Sequence, residues 1–570
     1  MRYLVLCCDY DGTIAHNGRV DAPTIAALEK LRESGRRLVM VTGRRMDDLQ
    51  TVFERLDLFE CIVAENGAVL YFPARREERV LAEAPPARFV DALRARGVQP
   101  LELGRCIVAT WEPHQEAALQ AIHECGLDLQ VIFNKGAVMI LPAGVTKGSG
   151  LEAALNELNI SMHNAVGVGD AENDHAFLRI CECSAAVANA LPAVKEKVDI
   201  QLDGDHGAGV AQLIEEMIAD DLASREAALV RHDILLGVDE RGEAVRLSPW
   251  RVSALVVGTS GGGKSTVAVG LVERLLAAGY CFCVIDPEGD YDNVESTLVL
   301  GGPNHAPTPD ECEQALRRAN GNLVINLLAV KFKDRPAFFN SLFARIRDVR
   351  ANTGRPHCLI VDEAHHVLPA NSRPVDIASP EQLEGVVLIS VAPSQVAAPV
   401  VKSVATLVAL GEKPQEMLEE FTRSNGVAAP ASPVATLAPG DALVWSRGES
   451  QPPRLVRLEP NRTERRRHLR KYAEGSLPED RSFYFRGPEG KLNLRAHNLI
   501  LFADLADGVD DDTWVHHVRR GEISRWLRTA IKDETLADQV ARIEHDDNLD
   551  PVASRRRVRE LIEERYTLPG

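Results

Sequence analysis

No apolar run in this chain reaches the ~18 residues that a bilayer-crossing helix needs, so no membrane span is expected. The first residues enter a strand pattern at once, so no signal peptide is expected either. Cysteine spacing gives no CxxC pair. The eleven cysteines include Cys7-Cys8, Cys181-x-Cys183 and Cys281-x-Cys283, several of them inside apolar, strand-like runs. That pattern reads as buried free thiols in a reducing cytosol rather than metal ligands or disulfides. Positive charge is in short supply, with 65 Lys and Arg against 83 Asp and Glu and a net charge of −18. Such a balance argues against a chain that coats nucleic acid, although a local basic channel stays compatible with it. Internal repeats and long low-complexity tracts are missing as well. What is present is ordinary globular composition, 45% hydrophobic and 26% charged, over 570 residues. That is too long for one core and implies three or four domains, in a cytoplasmic protein.

Strand-like and helix-like segments alternate along residues 1–220. "RYLVLCC" and "RRLVMVTGR" read as buried strands, and "APTIAALEKLRESG" places Ile25, Leu28 and Leu31 at helical spacing before Gly35. Alternation of this kind implies βα units around a parallel sheet. A second alternating block covers 230–458, with "SALVVG", "CFCVID", "NLVINLL", "CLIVDE", "VVLISV" and "ATLVAL" as buried strands. The join near 218–232 is polar and helical. Residues 459–570 open with the basic run "NRTERRRHLRK", which reads as a solvated helix face or linker. They continue as mainly helical sequence, with Trp514, Val518, Ile523, Trp526 and Leu527 as core; His516 and His517 lack ligand spacing. The fold class expected is α/β, two parallel-sheet domains followed by a small, mainly helical C-terminal domain.

The first chemistry lies in "LVLCCDYDGTIA", where an apolar strand ends in Asp9 and Asp11. Ligands bind at the carboxyl ends of parallel strands. Three further segments strengthen the case for a site. "VTGR" offers the Thr42 hydroxyl and the backbone amides around Gly43 to a phosphate oxygen. Lys147, in "LPAGVTKGSGLEAAL", precedes a helix and can neutralise a transferring phosphoryl group. "AVGVGDAENDHAF" supplies Asp170, Asn173 and Asp174, hard oxygen donors suited to magnesium. One aspartate can attack phosphorus to give an aspartyl-phosphate, and its neighbour two residues on can move the proton.

These four segments, in this order, resemble the four motifs of the haloacid-dehalogenase (HAD) superfamily of phosphatases. The resemblance covers about 220 residues and implies a Rossmann-like core. It makes Asp9 the nucleophile and Asp11 the general acid/base, with Thr42 and Lys147 as phosphoryl ligands. Asp9, Asp11 (through its carbonyl) and Asp170 would hold Mg2+, supported by Asp174. About a hundred residues separate Thr42 from Lys147. That insert, about 82–143, reads β-α-β-β and resembles the type IIB cap of the Cof-like and sucrose-phosphate-phosphatase-like branch. Caps of this kind close over small phosphorylated metabolites, which makes Trp111, Asn134 and Lys135 candidate substrate contacts or, equally, ordinary cap residues.

A second site begins at "VVGTSGGGKST", a GxxxxGK[ST] loop between a strand and a helix. Gly258, Thr259, Ser260, Gly261, Gly262, Gly263, Lys264, Ser265 and Thr266 form it. Backbone amides from Gly261 to Lys264 would cradle phosphates, Lys264 would reach the β/γ oxygens of ATP, and Ser265 would hold magnesium. In "CLIVDEAHH", Asp362 would hold the metal through water and Glu363 would polarise the attacking water. His365 and His366 read as packing or solvent-facing residues. "DEAH" suggests a helicase, but no QxxGRxxR-like segment follows. The loop, "IDPEGDY" and "VDEAH", in this order, resemble the HerA/FtsK-like P-loop ATPases. That resemblance implies a polar sensor among Ser390, Ser394 and Gln395, an arginine finger at Arg423, and a homo-oligomer formed through this domain. It implies DNA as a partner too, although no basic, aromatic-interleaved loop supports one.

The combined expectation is a phosphatase of a small organic phosphate fused to an ATP-hydrolysing domain. The alternatives are an ATP-driven DNA-associated motor or defence and repair protein with an accessory HAD module, and a polynucleotide kinase–phosphatase-like enzyme. Against the last, a cap would block a nucleic-acid end and the Asp362-Glu363 pair suits hydrolysis.

Overall fold

The computed structural model describes residues 1–134, 136–259, 262–317, 321–372, 380–424, 426–447, 452–461, 477, 481–531, 533–546 and 550–566. Its chain falls into two compact units, Met1–Pro460 and Asn461–Gly570.

The first unit contains two α/β layers systems and a small insert. Its N-terminal sheet has eight strands, in the order Ile200–Gln201, Cys183–Ala186, Ala165–Gly169, Val5–Cys8, Arg37–Val41, Cys61–Ala64, Val69–Phe72 and Glu77–Val80. The first six run parallel, and the last two extend the edge as an antiparallel hairpin. Central strands are buried on both faces, which is why Val5–Cys8 reads as a continuous apolar run rather than an alternation. Glu77–Val80 is exposed along its whole length and carries no such signal.

The insert has its own four-stranded antiparallel sheet, ordered Glu102–Leu103, Val108–Trp111, Ala137–Pro142 and Leu129–Asn134. The β-α-β-β expectation is short by two elements: a helix at Ala87–Ala95 and the two-residue strand at Glu102–Leu103 precede it. One face of this sheet joins both helices in a separate small core containing Phe89, Leu93, Val108, Ala121, Val138 and Ile140. The other face turns Ala109, Ile132, Met139 and Leu141 onto the main core.

An eleven-stranded sheet follows. All six strands expected in the second block are present, and seven neighbouring strands from Thr406–Leu410 to Thr297–Gly301 run parallel. Thr297–Gly301 itself, and the antiparallel strands Asp441–Ser446, Arg454–Leu458, Ile234–Asp239 and Ala244–Leu247, broaden it beyond that expectation.

A buried polar junction joins the two sheet systems. Glu182 accepts from Arg2 Nη2 at 2.5 Å and from the Tyr280 hydroxyl at 2.9 Å, and its Oε2 lies 2.6 Å from His163 Nδ1. His163 Nε2 faces the Ala278 carbonyl at 2.9 Å, and its ring stacks on Tyr280. Both ring nitrogens therefore face oxygen atoms. Asn164 donates to the Arg2 and Gly354 carbonyls, and His357 bridges Asn164 and the Cys281 amide.

All eleven cysteines are free thiols, nine of them buried. No described helix is long and apolar enough to cross a membrane.

In the second unit, helices from Leu499–Gly508 to Pro551–Tyr566 pack around Trp514, Ile523, Trp526 and Leu527, with Val518 at the margin. A two-stranded sheet, Phe483–Phe485 with Leu494–Ala496, is added to the helices expected. His517 accepts from the Arg486 amide and pairs with Glu522, a structural use of that ring. Of the basic run, residues 462–471 lie outside the described residues.

Candidate active sites

Parallel strands that end together bring their terminal loops together. Asp9 follows Val5–Cys8, Thr42 follows Arg37–Val41, and Asp170 follows Ala165–Gly169. Lys147 is the first residue of the helix Lys147–Glu157, whose start is fixed by a reciprocal Thr146–Ser149 capping box. The helix approaches closely because Gly67 and Gly150 face each other; a Cβ on Gly67, at φ +107°, would stand 1.9 Å from the Thr146 carbonyl oxygen.

Lys147 Nζ donates to Asp9 Oδ1 at 2.5 Å and to Asp174 Oδ1 at 2.6 Å. The other Asp174 oxygen accepts the amides of Asp170 and Ala171, both at 2.9 Å, and Thr13 Oγ1 donates to Asp170 Oδ1 at 3.0 Å. These four charged groups are at most 4% exposed. Burial lowers the affinity of Lys147 for its proton, but Asp174 and Asp9 outweigh it and hold the ammonium charged. Burial drives the Asp9 carboxyl up, to about 8; Lys147 pulls it back, and Asp174 and Asp170 add to the rise. Asp9, Asp170 and Asp174 offer oxygens within 4.8 Å of one another, and the Lys147 ammonium bonds two of them, Asp9 and Asp174. Three buried hard oxygen donors so close together fit a divalent cation such as magnesium.

Asp11 sits at the rim, gripped by Arg44 through Nε and Nη2 at 2.6 and 2.7 Å. The turn at Gly12, φ +96°, is pinned by Asn189 and His206, both on the Gly12 carbonyl. Thr42 Oγ1 accepts the Arg44 amide, and the Gly43 backbone lies against the Asn66 side chain. Thr13, Arg44, Glu65 and Asn66 join the site without a sequence motif of their own; Glu65-Asn66-Gly67, a polar pair and a glycine after a buried strand, is the local signal that points to the last two. Trp111 is half exposed at the end of its strand and Asn134 is partly buried, with no contact between them among those described, while Lys135 lies outside the described residues. The strand that ends at Asn134 packs against the loop Glu172–Asp174.

In the second sheet Gly258 ends the strand Ser253–Gly258 and Lys264 opens the helix Lys264–Ala277. Ser260 and Gly261 lie outside the described residues. Gly263 is left-handed at φ +95°, and the Gly262 amide donates to the Thr259 carbonyl. Lys264 Nζ donates to the Gly258 carbonyl at 2.9 Å, and Ser265 and Thr266 follow in the first helical turn. Asp362 accepts from the Tyr291 hydroxyl at 3.0 Å and from the Glu363 amide at 2.9 Å. Glu363 is strained, at φ 40°. Burial pushes its carboxyl up to about 7, with Lys264 opposing. His365 Nδ1 lies 3.3 Å from Glu363 Oε2 and 3.4 Å from Ser390 Oγ, so Ser390 is the sensor candidate beside the acid pair. The Ser394 amide is taken by Glu420, Gln395 closes the same short turn, and Arg423 ends the helix Pro414–Arg423, exposed.

His163, Glu182 and His232 also cluster within 4.8 Å. Arg2 on Glu182, with backbone carbonyls on both rings, makes this the ion-paired junction already described.

Residues 6–92 and 112–214 match the family of haloacid dehalogenase-like hydrolases, and residues 250–347 match the central domain of helicase HerA. A phosphoglycolate phosphatase of Halorubrum lacusprofundi is 31% identical over 222 residues, covering 37% of this chain and 96% of that protein. The phosphoglycolate phosphatase of Methanothermobacter thermautotrophicus is 28% identical over 221 residues, 37% of this chain and 98% of its own. A solved haloacid dehalogenase-like hydrolase from Bacteroides thetaiotaomicron is 17% identical, covers 38% of this chain and 99% of that chain, and has a TM-score of 0.34. Through its N-terminal part the chain belongs to the haloacid dehalogenase-like hydrolases, and a HerA-like P-loop domain is fused to it.

Proposed function

We propose that this protein is a magnesium-dependent phosphatase of a small organic phosphate joined to an ATP-hydrolysing domain. The observation that carries the reading is the buried gathering of Asp9, Asp170 and Asp174, with oxygens within 4.8 Å of one another and the Lys147 ammonium bonded to Asp9 and Asp174. Phosphoglycolate is the first candidate substrate, because it names the activity of the relatives above. In this reading Asp9 attacks phosphorus and becomes the aspartyl-phosphate. Asp11 protonates the leaving oxygen and then takes a proton from the attacking water, turning from Arg44 to do so. Lys147 and Thr42, with the Gly43 amide, hold the phosphoryl oxygens. Magnesium, held by Asp9, the Asp11 carbonyl and Asp170, would screen the nucleophile from the anionic ester. Asp174 acts behind them, fixing the loop amides and the lysine.

ATP would bind through Gly258–Thr266, with Lys264 on its phosphates and Ser265 and Asp362 on its metal; Glu363 would polarise water. The same reading divides the chain at 1–220, with its cap at about 82–143, 230–458 and 459–570. It puts the protein in the cytoplasm, with homo-oligomerisation through the P-loop domain. The test is phosphate release from phosphoglycolate, sugar phosphates and nucleotides, with magnesium and without ATP. Asp9→Asn should abolish release from the favoured ester and spare ATP turnover, and Lys264→Ala should do the reverse. If only ATP is hydrolysed, and Asp9→Asn changes nothing, the phosphatase reading fails. A motor reading of the second domain draws on its match to the HerA central domain, and DNA-stimulated ATP turnover is its test.

A further inference from the structure

An ester that reacts at Asp9 has to reach a residue that is 4% exposed, beside a lysine that is 2% exposed. Something over the site must move. The insert is the part built to do so, since it has a core of its own and lays Leu129–Asn134 over the loop Glu172–Asp174. A body that moves as a unit needs a fixed point, and Glu65 has the contacts of one.

Glu65 and Asn66 are consecutive left-handed residues, φ 50° and 53°, at 2% and 0% exposure. Side chains other than glycine rarely take that conformation, so the surroundings must hold it in place. The Glu65 carboxylate accepts three successive backbone amides of the insert. Oε1 takes Arg105 at 2.8 Å; Oε2 takes Cys106 at 2.8 Å and Ile107 at 3.0 Å. Gly104 is bare for the same reason, because a Cβ there would stand 2.4 Å from Glu65 Oε1. Cys106 Sγ in turn donates to the Ala82 carbonyl, where the chain enters the insert. Next door, Asn66 Nδ2 meets Met139 Sδ of the insert at 2.9 Å. Its Oδ1 accepts from Asn173, in the loop that carries Asp170 and Asp174, at 3.0 Å.

We propose that Glu65 is the pivot on which the cap opens and closes, and that Asn66 passes the cap's position to the acidic loop. Glu65 is thus a positioning residue for the phosphatase. The amides of 105–107 stay bonded in both states, while the far edge at 129–134 lifts. This rests on the capped-phosphatase reading above.

The experiment uses the full chain, as wild type, Glu65→Gln and Gly104→Ala. Glu65→Gln sets an amide N–H₂ among three donors, and Gly104→Ala crowds the carboxylate from the other side. With phosphoglycolate, which the cap must enclose, both variants should lose at least tenfold in kcat/KM. With p-nitrophenyl phosphate, which on this proposal reacts with the cap open, they should stay within twofold of wild type. Hydrogen exchange on the wild type should find the amides of 105–107 as slow as the strand Val5–Cys8, and those of 129–134 faster. If 105–107 exchange as fast as 129–134, Glu65 is a latch and the pivot is overturned. Equal losses on both esters, or none on either, overturn it as well. If the wild type releases phosphate from neither ester, the phosphatase reading has failed instead.

Discussion

Replacing Glu182 by alanine should separate the two halves of the first unit. In the intact junction this carboxylate serves Arg2, His163 and Tyr280, and the Arg2 and Glu182 side chains are each 5% exposed. Breaking a buried ion pair by removing one partner costs about 3–5 kcal/mol. The Tyr280 hydroxyl and the His163 N–H would also lose their acceptor, at about 1–3 kcal/mol each, less whatever water recovers. Some of this overlaps, so the expected loss is about 4 kcal/mol, roughly a thousandfold in the folding equilibrium. That is a large share of the 5–15 kcal/mol typical of a folded domain. The sign with pH follows from Glu182 itself. Burial raises its carboxyl, but His163 and Arg2 outweigh burial and hold it below the usual range of about 4.5. A depressed carboxylate contributes above its unfolded value and loses that contribution as pH falls through its folded one. The gap between wild type and Glu182→Ala should therefore be widest above about pH 5 and narrow below it. The assay is urea unfolding at pH 7.5 and pH 4, following phosphatase activity for one half and nucleotide binding for the other. In the wild type the two transitions should coincide; in the variant they should part. Coincident transitions with a loss under 1 kcal/mol would refute the junction as a source of cohesion.

Two further outcomes can be measured alongside. Lys147→Met should lower kcat for the phosphatase by about 10²–10³, the usual cost of removing one preorganised charge-stabilising group; ATP turnover of the same sample, left unchanged, checks that the chain is folded. Asp233→Asn should stabilise the protein at neutral pH. Burial and then Glu182 push the Asp233 carboxyl up to about 6. A raised carboxyl costs nothing below its unfolded value near 4, and the cost is complete above 6. The shift corresponds to about 3 kcal/mol, roughly half of that after solvent screening at this half-buried site. Denaturation at pH 7.5 should show the gain, and at pH 4 it should vanish.

How much of this was legible in the sequence depends on what each residue relies on. Strands buried on both faces announce themselves, as "SALVVG" and "CLIVDE" do, because nothing but apolar sequence survives there. Asp441–Ser446 and Arg454–Leu458 lie toward the sheet's outer flank, half buried and mixed in composition, and their place follows from pairing with distant strands. In the phosphatase-like site, Asp9, Lys147, Asp170 and Asp174 stand out because strand ends and a helix start can be read from local pattern. Arg44 and Glu65 cannot be found that way. Arg44 owes its contact to the turn of Asp11, and Glu65 to a left-handed backbone that only the packed insert holds in place.

The thiols give the molecule a built-in reporter. Burial raises Cys7, Cys8, Cys61, Cys183, Cys283 and Cys358 far from the thiolate that alkylating agents need, so these side chains stay silent while their surroundings are closed. Cysteines 7 to 183 lie in the HAD half and cysteines 281 to 358 in the P-loop half. Each peptide that becomes labelled under a short pulse of reagent thus dates the opening of its own half. Without a tag or an introduced probe, the natural chain records which part loosens first.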